Sequence, residues 1–294
     1  MNGVLLMAYG TPRTTEDTER YYTDIRGGAK PSADQMARLL ERYEAIGGAS
    51  PLYRITECQA EKLQAVLDER GANTKVYFGM KHSDPSIRTA IAAASRDGIT
   101  DLVCIALAPH YSIIGIGAYI NMVKEANASL GNKINISFIE SWHLNGNLIR
   151  FWSESIRAAG GGTGDTLVVF SAHSLPESVE DKGPYKKQLL ETATAVASEA
   201  GAGHWVLAFQ SQSDRGGKWY GPKINEAILS ERKAGETVVV APIGFVSDNL
   251  ELLYDIDIEC MKWAHENGIR MARAKAPNDS DEIILALESL SKVV

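Results

Sequence analysis

Three carboxylates, Glu251, Asp255 and Glu259, recur at four-residue intervals in the stretch SDNLELLYDIDIEC, residues 247–260. Read as an α-helix at 100° per residue, they share an arc of about 80°, and Asp248 falls inside it. Leu250, Leu252, Leu253, Tyr254 and Ile256 fill most of the remaining surface, and a helix that is apolar nearly all round is suited to burial. Like charges one turn apart cost roughly 0.2–0.5 kcal/mol per pair even when exposed; buried, they shift one another's protonation instead. The row therefore needs compensation from a cation, from proton traffic or from water. A second candidate is His173, in FSAHSLPE, directly after an apolar run. A neutral imidazole takes up a proton near pH 7 or binds a borderline metal ion. A neighbouring carboxylate steadies the imidazolium, and a row of carboxylates beyond it hands protons on or holds a hydrated divalent cation. The combination suits deprotonation coupled to metal handling. The plainer readings are a histidine that caps a turn and a solvated acidic face, and the apolar remainder of the helix weighs against the second.

Other chemistries lack their residues. There is no G-x-S-x-G for a serine hydrolase and no Walker A or G-x-G-x-x-G for a nucleotide enzyme; GIGAY at 115–119 reads as a glycine hinge. Three widely spaced cysteines, Cys58, Cys104 and Cys260, point to reduced thiols in a cytoplasmic protein and exclude a four-cysteine iron–sulfur cluster. A net charge of −7 argues against nucleic acid as a partner. No apolar run approaches the length of a membrane span, and the start, MNGVLLMAYGTP, reads as a buried strand rather than a signal peptide. His82 and His110 are either cleft residues or structural ones, while His143, His204 and His265 read as surface or turn residues. The segment RYEAIGGASPLYRITECQAEKL gathers Tyr43, Ile46, a Gly–Gly turn, Ser50, Pro51, Leu52 and Tyr53. It is either a packed loop or a lip over a flat hydrophobic ligand. Arg26 and Lys30 are candidates to meet ligand carboxylates, arginine in bidentate fashion, and Trp219 with Tyr220 offers an aromatic wall on the other side.

These residues need a scaffold that ends strands around one cleft. Strand-like runs occur at GVLLMAY, TKVYFGM, LVCIALA and INISFIE, and again at TLVVFSA, HWVLAFQ, TVVVAPI and GIRMARA. Between them lie helical patterns at 33–46, 55–70, 85–96, 186–200 and 222–233. Short apolar runs alternating with amphipathic helices mark parallel strands of an α/β fold. The two sets match in order, down to the loops that follow each strand: AYGTP with SAHSLPE, MKHSDPSI with SQSDRGGKWYGPKI, and APHYSIIGIGAY with APIGFVSDNLELLYD. The spacing predicts two similar doubly wound lobes, residues 1–160 and 161–294, each with a four-stranded parallel sheet. They would divide at the glycine run near 158–165, with the last helix packing back on the first lobe. Ligands of open α/β sheets bind beyond the carboxyl ends of the strands, and Tyr9, His82, His110, His173, Gln210 and the acidic helix all follow strand ends.

LLMAYGTP, RYEAIGGASPL, SAHSLPE, FQSQ with WYGP, and PIGFVSDNLELLYDID together resemble the ferrochelatases, and the likeness spans the chain. The compact length is similar to that of the monomeric enzymes of Gram-positive bacteria. The resemblance implies a lyase that inserts Fe²⁺ into a porphyrin with release of two protons, in the cytoplasm, the macrocycle gripped between the lobes. Likeness to the Gram-positive enzymes makes coproporphyrin III the favoured substrate, while the basic run RGGAKP, where the related enzymes carry a second arginine, keeps protoporphyrin IX as the alternative. The resemblance also implies that His173 and Glu251 face the macrocycle centre opposite Tyr9. Asp255 and Glu259 would continue the metal-binding row towards a regulatory divalent cation such as Mg²⁺. Tyr9, Ile25, Arg26, Ser50, Gln59, Tyr119 and Trp219 would line the porphyrin site. A non-catalytic tetrapyrrole carrier and a cobalt chelatase of corrin synthesis are the competing functions; the pairing of a proton acceptor with an acidic row favours the enzyme.

Overall fold

The computed structural model describes residues 1–162, 164–212 and 217–292. Thr163 of the glycine run and 213–216 of the polar loop after the sixth strand lie outside the described residues. The first half runs β1 (Asn2–Ala8), α1 (Thr18–Ile25), α2 (Ala33–Ala45), α3 (Leu52–Glu69), β2 (Thr74–Met80), α4 (Ile87–Arg96), β3 (Asp101–Ala106), α5 (Ile116–Ser129), β4 (Asn135–Ile139) and α6 (Gly146–Ala158). The second runs β5 (Thr166–His173), α7 (Glu177–Glu180), α8 (Tyr185–Ala200), β6 (Trp205–Gln210), α9 (Ile224–Glu231), β7 (Thr237–Ala241), a π-helix (Leu252–Cys260), α10 (Met261–Glu266), β8 (Met271–Arg273) and α11 (Asp281–Ser291). Two parallel four-stranded sheets result, ordered β2-β1-β3-β4 and β6-β5-β7-β8.

The local reasons are ordinary. β1 and β5 are buried along nearly their whole length, as strands covered on both faces must be, and so read as unbroken apolar runs. Ser32 opens α2 with a capping box to Gln35, and Ser86, Asn145 and Ser280 cap α4, α6 and α11 with their side chains. In each sheet the central strand's two neighbours are reached in opposite directions, so the crevice at the switch point opens between β1 and β3 in one half and between β5 and β7 in the other. Tyr9 and the loop after β3 border the first crevice; His173 and the chain after β7 border the second.

The halves are not independent. One face of the first sheet packs on α4 and α5 through Leu5, Met7, Ile87, Ile91, Leu102 and Val123. Its other face contributes Val4, Leu6, Val103 and Ile105 to a single large core that continues through Leu63, Trp152 and Leu287 to both faces of the second sheet. Helix α6 lies against α8, and α11 lies against α3 and α6, so elements of each half cover the other.

Candidate active site

Seven residues of β5 are buried and the eighth, His173, steps into the cleft at 36% exposure. Its position is set from behind. Gly244, just after β7, packs so closely on Ala172 that a Cβ there would lie 2.6 Å from the Ala172 Cβ. The Tyr185 hydroxyl donates to the His173 carbonyl at 3.0 Å. The segment after β7 turns tightly, with Gly244 N donating to Ser171 O at 3.1 Å, and delivers Glu251 so that its Oε2 is 2.8 Å from His173 Nδ1. With Glu251 ionised, Nδ1 carries the ring hydrogen and Nε2 is left as the free lone pair.

Electrostatics favour uptake of a proton at this pair. Burial opposes the imidazolium, but the Glu251 charge and hydrogen bond, with the Asp255 charge behind them, leave the His173 pKa raised. Burial likewise opposes the Glu251 carboxylate, yet His173, Arg42 and Ser211 hold its pKa below the usual range. The next carboxylate behaves differently: burial, with Glu251 and Glu259 adding to it, pushes Asp255 up, against the pull of Arg42 and Ser211.

The helix carrying this row is a π-helix over Leu252–Cys260, where the sequence predicted an α-helix. Its i→i+5 bonding widens the turn, so residues four apart remain on one face but drift the other way round the axis. Leu252 and Ile256 are fully buried and Glu259 is exposed. Asp248 leaves the row altogether. It precedes the helix and pairs with Arg273 Nη1 at 2.9 Å, while Asp257 accepts Nε and Nη2 of the same guanidinium at 2.6 and 2.8 Å. The compensation the row required comes from the first half of the chain: Arg42 of α2 forms an ion pair with Asp255 and lies 4.6 Å over the Tyr254 ring. Asp255, Glu259, Ser211, Arg38, Arg42 and Lys223 border a cleft of about 790 Å³. Among the described residues no three His, Cys, Asp or Glu side chains gather into a metal cage; Glu251 is paired with His173 and Asp255 with Arg42.

Tyr9 faces the cleft at 44% exposure, edge-on to His82 with ring centroids 4.7 Å apart. Desolvation, with the Glu251 charge next in weight, pushes its phenol up to about 12, so Tyr9 and Glu251 share one field. Lys81, which the sequence reading passed over, stands 5.8 Å from the rings of both Tyr9 and Tyr119. Tyr119 itself is only 6% exposed. Ile25 ends α1, and Arg26 follows it with Nε donating to Ala29 O at 3.1 Å. Lys30 faces Glu19 at 3.5 Å on the surface. Ser50 is buried and accepts from Leu52 N.

Three expectations are corrected. Gln59 is fully buried and bonds to Ser247 Oγ and Asn278 O, an interlobe tie with no surface left for a ligand. Tyr220 is buried, its hydroxyl donating to Asp181 at 2.9 Å, so Trp219, half-buried and bridged to Pro176, is not joined by it in an aromatic wall. Of the two readings open for His110 the structural one holds: it is 3% exposed, 2.9 Å from Thr192 Oγ1, and driven down to about 3 by burial and by His143. His143 and His204 are also more than surface residues, paired with Glu191 and Glu236 at 2.8 and 2.9 Å. Ser211 and Arg42 were missed as site residues. Both reach the acidic helix from distant parts of the chain; Ser211 lies in the FQSQ motif, whereas no local pattern marks Arg42.

Comparison with known proteins places the chain in a family. A family model, Ferrochelatase, matches residues 1–293. The coproporphyrin III ferrochelatase of Anoxybacillus flavithermus is 42% identical over 98% of this chain and 94% of its own length. That of Bacillus subtilis is 39% identical over 98% and 96%. Among solved structures, SirB from Bacillus subtilis with Fe³⁺ aligns at a TM-score of 0.63 and 11% identity, covering 98% of this chain and 93% of that one. CbiX, described as the terminal enzyme of sirohaem biosynthesis in denitrifying bacteria, aligns at 0.57 and 13%, covering 99% of each. The two structural neighbours speak for the fold alone. The chain belongs to the ferrochelatase family of metal-chelating lyases.

Proposed function

We propose that this enzyme inserts Fe²⁺ into coproporphyrin III, and that His173 with Glu251 removes the pyrrole protons. The observation that carries the reading is the 2.8 Å pair at the carboxyl end of β5, in the same field as Tyr9. A free-base porphyrin holds two N–H hydrogens where the metal must sit, so each insertion releases two protons. Nε2 of His173 accepts the first, and the Glu251 charge stabilises the imidazolium as it forms. The second follows after His173 has passed its proton to the carboxylates beyond it. Fe²⁺ is cargo here: a neutral imidazole and a carboxylate are serviceable transient ligands, and a pair releases what a cage would retain.

The names of the relatives favour coproporphyrin III. Arg26, Ile25, Tyr9, Ser50, Tyr119 and Trp219 are assigned to the porphyrin, with Arg26 on a propionate. A divalent cation such as Mg²⁺ fits beside Glu259 as a hydrated ion, since Arg42 already occupies Asp255. The free state of Cys58, Cys104 and Cys260 suits a cytoplasmic enzyme, and no described helix is long and apolar enough to cross a membrane; the reading takes the active unit as a monomer. The test is oxygen-free metallation of coproporphyrin III and protoporphyrin IX side by side, with His173→Ala as control. Faster turnover of the first and none with the variant is expected. Porphyrin binding without accelerated metallation by the unaltered protein would leave only a carrier.

A further inference from the structure

Ser211, in the stretch FQSQ, follows β6 directly and has no part in the steps above. Its backbone sits at φ +58, the left-handed region that residues with a Cβ seldom adopt and glycine adopts freely. A serine held there implies that the side chain is needed. Its hydroxyl is 3.3 Å from Glu251 Oε2, the same oxygen that His173 Nδ1 meets, and it also donates to Asp255 Oδ2. A hydroxyl carries one proton, so Ser211 stands between the two carboxylates as a shared donor. On the far side Asp255 is held by Arg42.

We propose that Ser211 is a positioning residue of the metallation site, its hydroxyl keeping the Glu251 and Asp255 carboxylates apart so that Glu251 Oε2 stays on His173. This rests on the reading that His173 and Glu251 take the pyrrole protons. Without the hydroxyl, two like charges one turn apart face each other, and Arg42 is the cation toward which Glu251 would turn. The effect of Ser211 therefore runs through Asp255. Replacing Asp255 by asparagine removes the like charge and supplies an amide donor to Glu251, so Ser211 has less left to do in that background.

The experiment measures kcat and porphyrin KM for oxygen-free Fe²⁺ insertion, using whichever of coproporphyrin III and protoporphyrin IX turns over faster, together with the melting temperature. The proteins are the unaltered chain, Ser211→Gly, Ser211→Ala, Asp255→Asn, Ser211→Gly with Asp255→Asn, and His173→Ala. Ser211→Gly should lose at least about tenfold in kcat, keep KM within about twofold, and melt no lower than the unaltered chain because glycine accepts the backbone angle. Ser211→Ala should show the same kcat loss. In the Asp255→Asn background Ser211→Gly should cost less than about threefold. The proposal is overturned by a kcat for Ser211→Gly near the unaltered value, by equal losses in both backgrounds, or by a melting temperature that falls together with kcat. His173→Ala separates the two layers: if that variant still turns over, the base assignment fails, and if it is dead while Ser211→Gly is fully active, Ser211 alone is refuted.

Discussion

Glu251→Gln keeps the length of the side chain and an oxygen for His173 Nδ1, and removes only the charge. With Nδ1 and Oε2 2.8 Å apart, the charge centres are about 4 Å apart, where a unit pair is worth about 1 kcal/mol in water and about 4 kcal/mol at the effective dielectric of a protein surface. His173 is 36% exposed and Glu251 33%, so solvent screening takes the value to the lower middle of that range, about 2 kcal/mol. On the proposed reading the insertion step creates the imidazolium, so the loss falls on the transition state and slows insertion about 30-fold. Single-turnover stopped-flow absorbance, oxygen-free and at saturating Fe²⁺, reads this directly. The pH profile gives a second reading. Burial opposes the charge on His173 and Glu251 overcomes it, so glutamine lets the pKa fall; the acid limb of the rate profile moves to lower pH while the plateau drops. Stability follows the same pair. The raised His173 pKa contributes below its unfolded value and is lost as pH rises through the folded one. The depressed Glu251 pKa, held down by His173 against burial, contributes above its unfolded value and is lost as pH falls through the folded one. The difference in melting temperature between unaltered and variant protein is therefore largest at mildly acidic pH and shrinks on both sides. A rate within about threefold of the unaltered enzyme with an unmoved acid limb would refute the coupling.

Gly244→Ala places a methyl 2.6 Å from Ala172 Cβ and 2.9 Å from its Cα; denaturant midpoints should show a loss of about 1–3 kcal/mol, and kcat should fall as the end of β5 shifts. Arg273→Ala strips the cation from Asp248 and Asp257, all three largely buried, and urea titration should record about 3 kcal/mol lost. Glu259→Gln, at the exposed end of the row, should leave stability within about 0.5 kcal/mol. Its metallation assay should show a changed dependence on divalent metal and an unchanged porphyrin affinity.

The eight strands were legible because parallel strands buried on both faces must be continuous apolar runs; TKVYFGM coincides with β2, and TLVVFSA falls one residue short of β5. The matched loops pointed to the strand ends, and there His173 and Glu251 meet. Three features could not be read locally. The π-helix depends on which hydrogen bond each carbonyl accepts, and residue types alone set no such choice. Arg42 was visible only as an unfilled requirement for a cation; its partner lies 213 residues away. Gln59 differs for the opposite reason: its motif was matched, but the side chain is fully buried and its amide nitrogen ties α3 to Ser247 and to Asn278 in the second half.

The large core that threads Val4 and Leu6 through Trp152 to Phe170 and Val240 limits how the molecule can open. A hinge that swung the sheets apart would have to tear α6 from α8 and α11 from α3, exposing fully buried side chains at about 25 cal/mol per Å² of apolar surface. The frame is thus rigid. Among the described residues α1, α2 and the Gly–Gly turn at 47–48 contribute no side chain to that core, so admission and discharge of a wide, flat guest are expected at this rim.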